Sequence, residues 1–273
     1  MTGDNAGVEP VRRIEVVRHR AHPALRGLVA GVVGMSELSP VPVHRRQPAG
    51  SLVPLVLSFG DPLEIEGVAH DSFVAGLSTG CTATCFERGQ DCVQVYLTPV
   101  GISRLLGVPG REVAGRAVAV GDLVPSWRGV ADRLASARSW AERFAAVESL
   151  LLESARRTDP VPEWMAGMCR DITASGGTVR IGDLVSESGW SHRYVARMFG
   201  GRIGLTPKQL AGVIRFERAA LELGRRPLAE IAAVHGYSDQ SHLTRDVIRY
   251  ADETPTRLAA ANRPTAHTAL AGR

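Results

Sequence analysis

The sequence predicts an α+β protein: a small β-barrel or sandwich with trailing helices, then an all-helical region in which two helix-turn-helix units flank a long connecting helix. Three observations predict it. Short apolar or alternating runs, separated by turn residues and with no helices between them, occupy residues 41–98. Helical spacing takes over after Pro99. Within the helical region a single pattern occurs twice, 47 to 48 residues apart.

The bulk properties set the frame. The chain has 273 residues, 44% hydrophobic and 22% charged, which is ordinary globular composition with room for about two domains. No apolar run approaches the roughly 20 residues that span a bilayer. The opening "MTGDNAGVEPVRRIEVV" has no signal-peptide stretch, so the expected location is the cytoplasm. Four cysteines are too few for a disulfide scaffold. The net charge of +4 is unevenly placed: residues 1–159 carry 17 basic and 17 acidic side chains, whereas 160–273 carry 15 and 11. The whole excess lies in the helical half, where it favours a polyanionic partner.

Taken in order, "SLVPLVLSF" is short, apolar and branched, "DPLEIEGVAH" alternates, "CTATCFERG" alternates threonine with small residues, and "DCVQVYLTP" has a period of two. Gly60-Asp61-Pro62 and Arg88-Gly89-Gln90-Asp91 read as the turns between them. "GISRLLG" is a brief helix and 139–157 a longer amphipathic one. "TDPVP" then marks a boundary. The predicted organisation is 1–158, a linker at 159–162, a helical domain at 163–262, and a disordered tail at 263–273. In the helical domain, Thr206-Pro207 and Thr254-Pro255 each place an N-cap threonine before a proline at the first helical position, and Pro227 opens another helix.

The repeat carries the function. "IGDLVSESGWSHRYVARMF" (181–199) aligns with "LAEIAAVHGYSDQSHLTRDV" (228–247). Ile181, Asp183, Leu184, Gly189, Trp190 and Ser191 match Leu228, Glu230, Ile231, Gly236, Tyr237 and Ser238. After one extra residue in the second copy, Val195, Arg197 and Phe199 match Leu243, Arg245 and Val247. Each copy reads as a short apolar-striped helix, a glycine that stops it, an aromatic plug and a second helix. Leu184, Trp190, Val195, Met198, Phe199, Ile231, Tyr237 and Leu243 are the expected core. Between the copies, "TPKQLAGVIRFERAALEL" with its flanks predicts a helix of about 19 residues, some 28 Å at 1.5 Å each, against a pitch of about 34 Å between successive major-groove faces of B-DNA. Gln240, Ser241, Thr244 and Arg245 share one polar face of the second helix, a face suited to base edges.

These residues resemble the AraC/XylS family of bacterial transcription regulators, over about 163–260. The similarity rests on "SHRYVARMF", "GLTPKQL", "LAEIA", "HGYSDQSHLTR" and the Thr-Pro that follows. It implies two helix-turn-helix modules whose second helices enter adjacent major-groove segments of double-stranded DNA. Base-facing roles then fall to Arg193, Ala196, Arg197, Gln240, Ser241, Thr244 and Arg245, and phosphate contacts to Ser191, His192, Asp239 and His242. Arginine can bond to guanine in bidentate fashion, glutamine to adenine, and a methyl group can pack on thymine; free amides at helix N-termini suit phosphate. The chain departs from the family pattern at Val247, where phenylalanine is usual, and at Asp252, where glycine is usual. Arg215 and Arg218 on the connector suit either phosphate or an internal ion pair.

The resemblance further implies a cupin-like N-terminal sensor that binds a small-molecule effector or mediates homodimerisation, RNA polymerase as a partner, and activation as the mode of control. No motif names the effector. No cofactor and no catalysis are expected: His44 and His70 are isolated, no His-x-His occurs, and there is no phosphate-binding glycine loop. Two alternatives stand beside this reading. One is a thiol-redox or metal-responsive regulator using Cys81, Cys85 and Cys92, with Cys92 facing another cysteine across a hairpin. The other is a ligand-binding β-barrel whose helical half binds protein.

Overall fold

The computed structural model describes residues 12–261; the predicted tail at 263–273 lies outside them. Strand β1 (Arg13–His19) pairs with β2 (Val29–Leu38), and there follow β3 (Val43–Gln47), β4 (Val53–Ser58), β5 (Leu63–Ile65), β6 (Val68–His70), β7 (Phe73–Ala75), β8 (Thr82–Phe86) and β9 (Gly89–Leu97). Helix α1 (Gly101–Leu106) leads to the short strand β10 (Ala117–Ala119), then α2 (Val120–Leu123), α3 (Val130–Ser136) and α4 (Trp140–Arg157). The C-terminal helices are α5 (Glu163–Ala174), α6 (Ile181–Glu187), α7 (His192–Ile203), α8 (Pro207–Ala220), α9 (Leu228–Val234), α10 (Gln240–Ala251) and α11 (Pro255–Ala261).

The strands form two antiparallel sheets, ordered β1-β2-β9-β4-β7-β10 and β3-β8-β5-β6. The central strands of the larger sheet, β4 and β9, are covered on both faces. Leu55, Leu57, Val93 and Val95 pack with Leu105, Leu134 and Leu151 of the helices. The alternate residues Val56, Phe73 and Cys92 meet Leu63, Ile65 and Phe86 of the smaller sheet. This explains why "SLVPLVLSF" is continuously apolar: a strand buried on both faces has no polar side.

The structure corrects several expectations. The β region begins at Arg13, well before 41, because β1 and β2 supply one flank of the large sheet. "DPLEIEGVAH" is a hairpin rather than one strand. Glu66 and Gly67, at φ 49° and 79°, form a two-residue turn between Ile65 and Val68, matching the twist of the flanking strands. Gly89, Gln90 and Asp91 lie within β9. The chain crosses at Glu87-Arg88 from the small sheet to the large one. Cys92 therefore does not face Cys81 or Cys85 across a hairpin.

The main core is continuous from Leu25 to Ala251, so the C-terminal helices share buried surface with the sheet-bearing half. Contacts at two places help to join them. The 3₁₀ turn Gly110–Glu112 sits on the end of α7, where a Cβ on Gly110 would lie 2.3 Å from the Ile203 carbonyl. Between β3 and β4, the Ala49 N–H donates to the Tyr250 carbonyl at 2.8 Å, and the Ser51 N–H donates to Glu217 Oε1 at 3.1 Å. Arg46 pairs with Asp252 beside them.

Candidate nucleic-acid interface

Both copies of the repeat fold as two short helices around a glycine turn. Gly189 and Gly236 have φ of 73° and 69°, a left-handed conformation that costs glycine nothing and most residues about 1–2 kcal/mol. Leu184 and Val185 bury the first helix of one module, and Ile231 and Ala232 that of the other. The second helices are capped alike: the Ser191 hydroxyl accepts the Tyr194 N–H at 3.2 Å, and the Asp239 carboxylate accepts the His242 N–H at 2.7 Å. These caps place the extra residue of the second copy in its turn, so Ser191 corresponds to Asp239 rather than to Ser238. Arg193, Ala196 and Arg197 then fall on Ser241, Thr244 and Arg245.

The two faces of each second helix are well separated. Val195, Phe199 and Ile203 are buried on α7, as are Leu243, Val247 and Tyr250 on α10. Arg193, Ala196 and Arg197 are exposed, with Ser191 and His192 beside them; Gln240, Ser241 and Arg245 are exposed and Thr244 half-buried. Every residue assigned by resemblance to bases or phosphates is thus at least partly open to solvent.

Local electrostatics refine the set. Asp246 lies on the flank of α10, where Arg215 approaches it at 3.5 Å and covers the Tyr237 ring at 4.6 Å. This commits Arg215 to an internal contact, while Arg218 stays exposed. The Asp239 carboxyl is held below its usual range, first by the His242 backbone N–H and then by Ser238. Its negative charge sits on the helix N-terminus and takes up the His242 amide. Val247 is completely buried despite its small size, and Asp252 adopts the left-handed conformation (φ 54°) that ends α10.

Residues 184–261 match a family model described as a helix-turn-helix domain. This segment is an AraC-type helix-turn-helix domain. The AraC-type domain begins within α6 and runs to the end of α11, so it takes in both second helices. A comparison with curated proteins matched none. Among solved structures, ToxT from Vibrio cholerae in its P21 form is 10% identical, with 91% of this chain and 98% of that one covered at a TM-score of 0.45. ToxT from strain O395 bound to (E)-4-(8-methylnaphthalen-1-yl)but-3-enoic acid is also 10% identical, over 91% and 98%, at 0.47. The xylose-binding transcription activator XylR is 14% identical over 45% of this chain and 40% of that one, at 0.32. Superpositions this loose carry no inference about ligand or role.

Two expected core residues of the AraC-type domain lie at its surface. Trp190 is 48% exposed and Met198 39%. Helical spacing identified the buried side of α7 but not how far the neighbouring helices reach round it. The connector is also shorter than its residue pattern predicts. Thr206 and Gln209 close a full capping box at its start, but α8 ends at Ala220, 14 residues on, and turns follow. That is about 21 Å, so the widths of the two modules must supply the rest of any groove-to-groove spacing.

The remaining sequence candidates do not assemble. No disulfide joins the four cysteines. Cys92 points between the sheets, and burial pushes its thiol up to about 12. Cys85 lies on the outer face of the small sheet, its sulfur 3.9 Å from His44 Nε2. Among the described residues no three His, Cys, Asp or Glu side chains converge to hold a metal, and no helix is long and apolar enough to cross a membrane.

Sequence reasoning missed Gly110 and Glu217. Neither belongs to a motif, and only the fold brings each against a distant backbone.

Proposed function

We propose that the protein is a sequence-specific DNA-binding transcription regulator, an activator acting as a homodimer, whose two helix-turn-helix modules enter adjacent major-groove segments under the control of the N-terminal half. In this reading Arg193, Ala196 and Arg197 of one module, and Gln240, Ser241, Thr244 and Arg245 of the other, face bases. Ser191, His192, the Asp239 backbone and His242 meet phosphates. The N-terminal half, taken as 1–158, senses a small-molecule effector and contacts its second copy, and RNA polymerase is the downstream partner. The observation that carries the reading is the pairing of two capped, polar-faced second helices in equivalent positions of a duplicated unit, with the face opposite each one buried. The AraC-type match over 184–261 supports it.

Salt titration tests it. Neutralising Z phosphates releases counterions, so the logarithm of the association constant falls with that of salt with a slope near −0.9Z. Binding to a selected duplex is expected to weaken steeply from about 50 to 200 mM salt. A flat response, with a protein bound instead, means that the helical half is an interaction module and the regulator reading fails. Genome-wide footprinting then identifies the operator, and the neighbouring genes indicate the effector.

A further inference from the structure

Trp190 and Tyr237 occupy the same slot of the repeat and have different environments. Tyr237 is 6% exposed because α8 passes over it, laying the Arg215 guanidinium on its ring. Among the described residues nothing covers Trp190 in this way, and it is 48% exposed. Its indole stacks on Tyr194, with centroids 4.5 Å apart and planes 27° apart, and Tyr194 is backed in turn by Trp164 of α5 at 6.5 Å. Arg197 lies 5.9 Å from the Tyr194 ring. The result is an aromatic stack supported from below and open on its outer side. At position 194 the second module has His242, edge-on to the covered Tyr237, so it has no equivalent surface.

Two facts indicate what covers the stack. The first is position: at about 100° per residue, Tyr194 lies about 60° round α7 from Arg197 and about 100° from Arg193. It therefore flanks the two arginines of the proposed base-facing side, while lying about 160° from Ala196. The second is charge. The stretch from Ser188 to Phe216 has no Asp or Glu, and of its basic residues Arg193 and Arg197 stand on α7 beside the stack, whereas Arg215 is held by Asp246 and Tyr237. An apolar ring pair in cationic surroundings at the rim of a groove-reading helix complements the sugar-phosphate wall of the groove, which presents sugar C–H faces next to phosphates.

We propose that the Trp190–Tyr194 stack is a DNA-backbone contact made by the first module alone: the Trp190 ring packs on deoxyribose and the Tyr194 hydroxyl donates to a phosphate oxygen. This deepens the DNA-binding reading and rests on it. The contact carries no base information. It strengthens and orients the first module, whose Ala196 offers bases only a methyl group.

The test uses the full chain, a duplex recovered by selection and a scrambled duplex. Wild type, Trp190→Ala, Trp190→Phe and Tyr194→Phe are titrated by fluorescence anisotropy of labelled DNA, and circular dichroism checks that each variant folds. Trp190→Ala is expected to bind both duplexes about tenfold more weakly, the scale of losing one well-buried aromatic contact. Trp190→Phe should stay within about threefold of wild type because its ring remains apolar. Acrylamide quenching, taken as the difference between wild type and Trp190→Phe, should show the exposed indole becoming inaccessible when DNA binds. Should Trp190→Ala bind as wild type does, or the indole remain equally quenchable in the complex, the contact does not exist. Loss of transcriptional output with unchanged DNA affinity would overturn it in favour of a protein partner. A wild type that binds neither duplex overturns the DNA reading itself, which separates the two failures.

Discussion

Gly110→Ala adds one methyl group where the N-terminal half rests on the end of α7. The new carbon would lie 2.3 Å from both the carbonyl carbon and the oxygen of Ile203, and 2.8 Å from the Arg202 oxygen. Carbon atoms in favourable contact sit about 3.5–4.0 Å apart, so the overlap exceeds an ångström. Its partner is helix backbone, which cannot swing aside as a side-chain tip does. The turn and the helix end must therefore separate, loosening Ile203 and Phe199, both fully buried. Overpacking of this kind costs about 1–3 kcal/mol. At about 2–4 °C per kcal/mol for a chain of this size, melting should fall by about 2–12 °C. Thermal unfolding followed by far-ultraviolet circular dichroism measures it, with Gly182→Ala as the control. Gly182 lies in α6 with nothing within 4 Å of its added carbon, so alanine there should be neutral or stabilise by up to about 1 kcal/mol. If Gly110→Ala melts within about 1 °C of wild type, while Gly182→Ala behaves as expected, then α7 does not rest on that turn.

Arg245→Ala should cost roughly 1–3 kcal/mol at the cognate site and relax preference at one base position; an equal loss on every sequence in a binding-site selection would make Arg245 a phosphate contact. Glu217→Ala, which removes the buried acceptor of the Ser51 N–H, should lower stability in denaturant titration by about 1–3 kcal/mol, and Glu217→Gln by less because an acceptor oxygen remains. Burial pushes the Cys92 and Cys169 thiols up to about 12, so roughly one in ten thousand is ionised at about pH 8. Iodoacetamide should spare both in the native protein, as read by mass spectrometry. Their contribution to stability is complete below about pH 9, the ordinary thiol range. The unfolded thiols ionise first, so it should fall between about pH 9 and 12, by up to about 1.4 kcal/mol per pH unit for each thiol. Denaturant midpoints across that range check the sign.

The sequence determined what depends on neighbours along the chain. Gly189 and Gly236 had to stop their helices, Thr206 had to cap α8, and the spacing of Val195, Phe199, Leu243 and Val247 set which side of each second helix is buried. All of these are local consequences of backbone geometry and side-chain period, and they made the duplicated unit and the faces it exposes legible before any coordinates. The residues within each face were legible only in part: about 100° per residue holds wherever a helix forms, yet Met198, placed in the core by that spacing, is exposed.

Only the tertiary structure decided what depends on distant segments. Trp190 and Tyr237 share one slot, yet α8 covers one and leaves the other open. Cys92 follows closely on the end of β8, yet a change of sheet turns it away from Cys85. Glu217 reads as a polar residue on an ordinary helix, yet the loop after β3 buries it. In each case a side chain's environment is set by which element arrives from elsewhere in the chain. Burial and hydrogen-bond satisfaction are properties of the assembled core, and no local pattern encodes them.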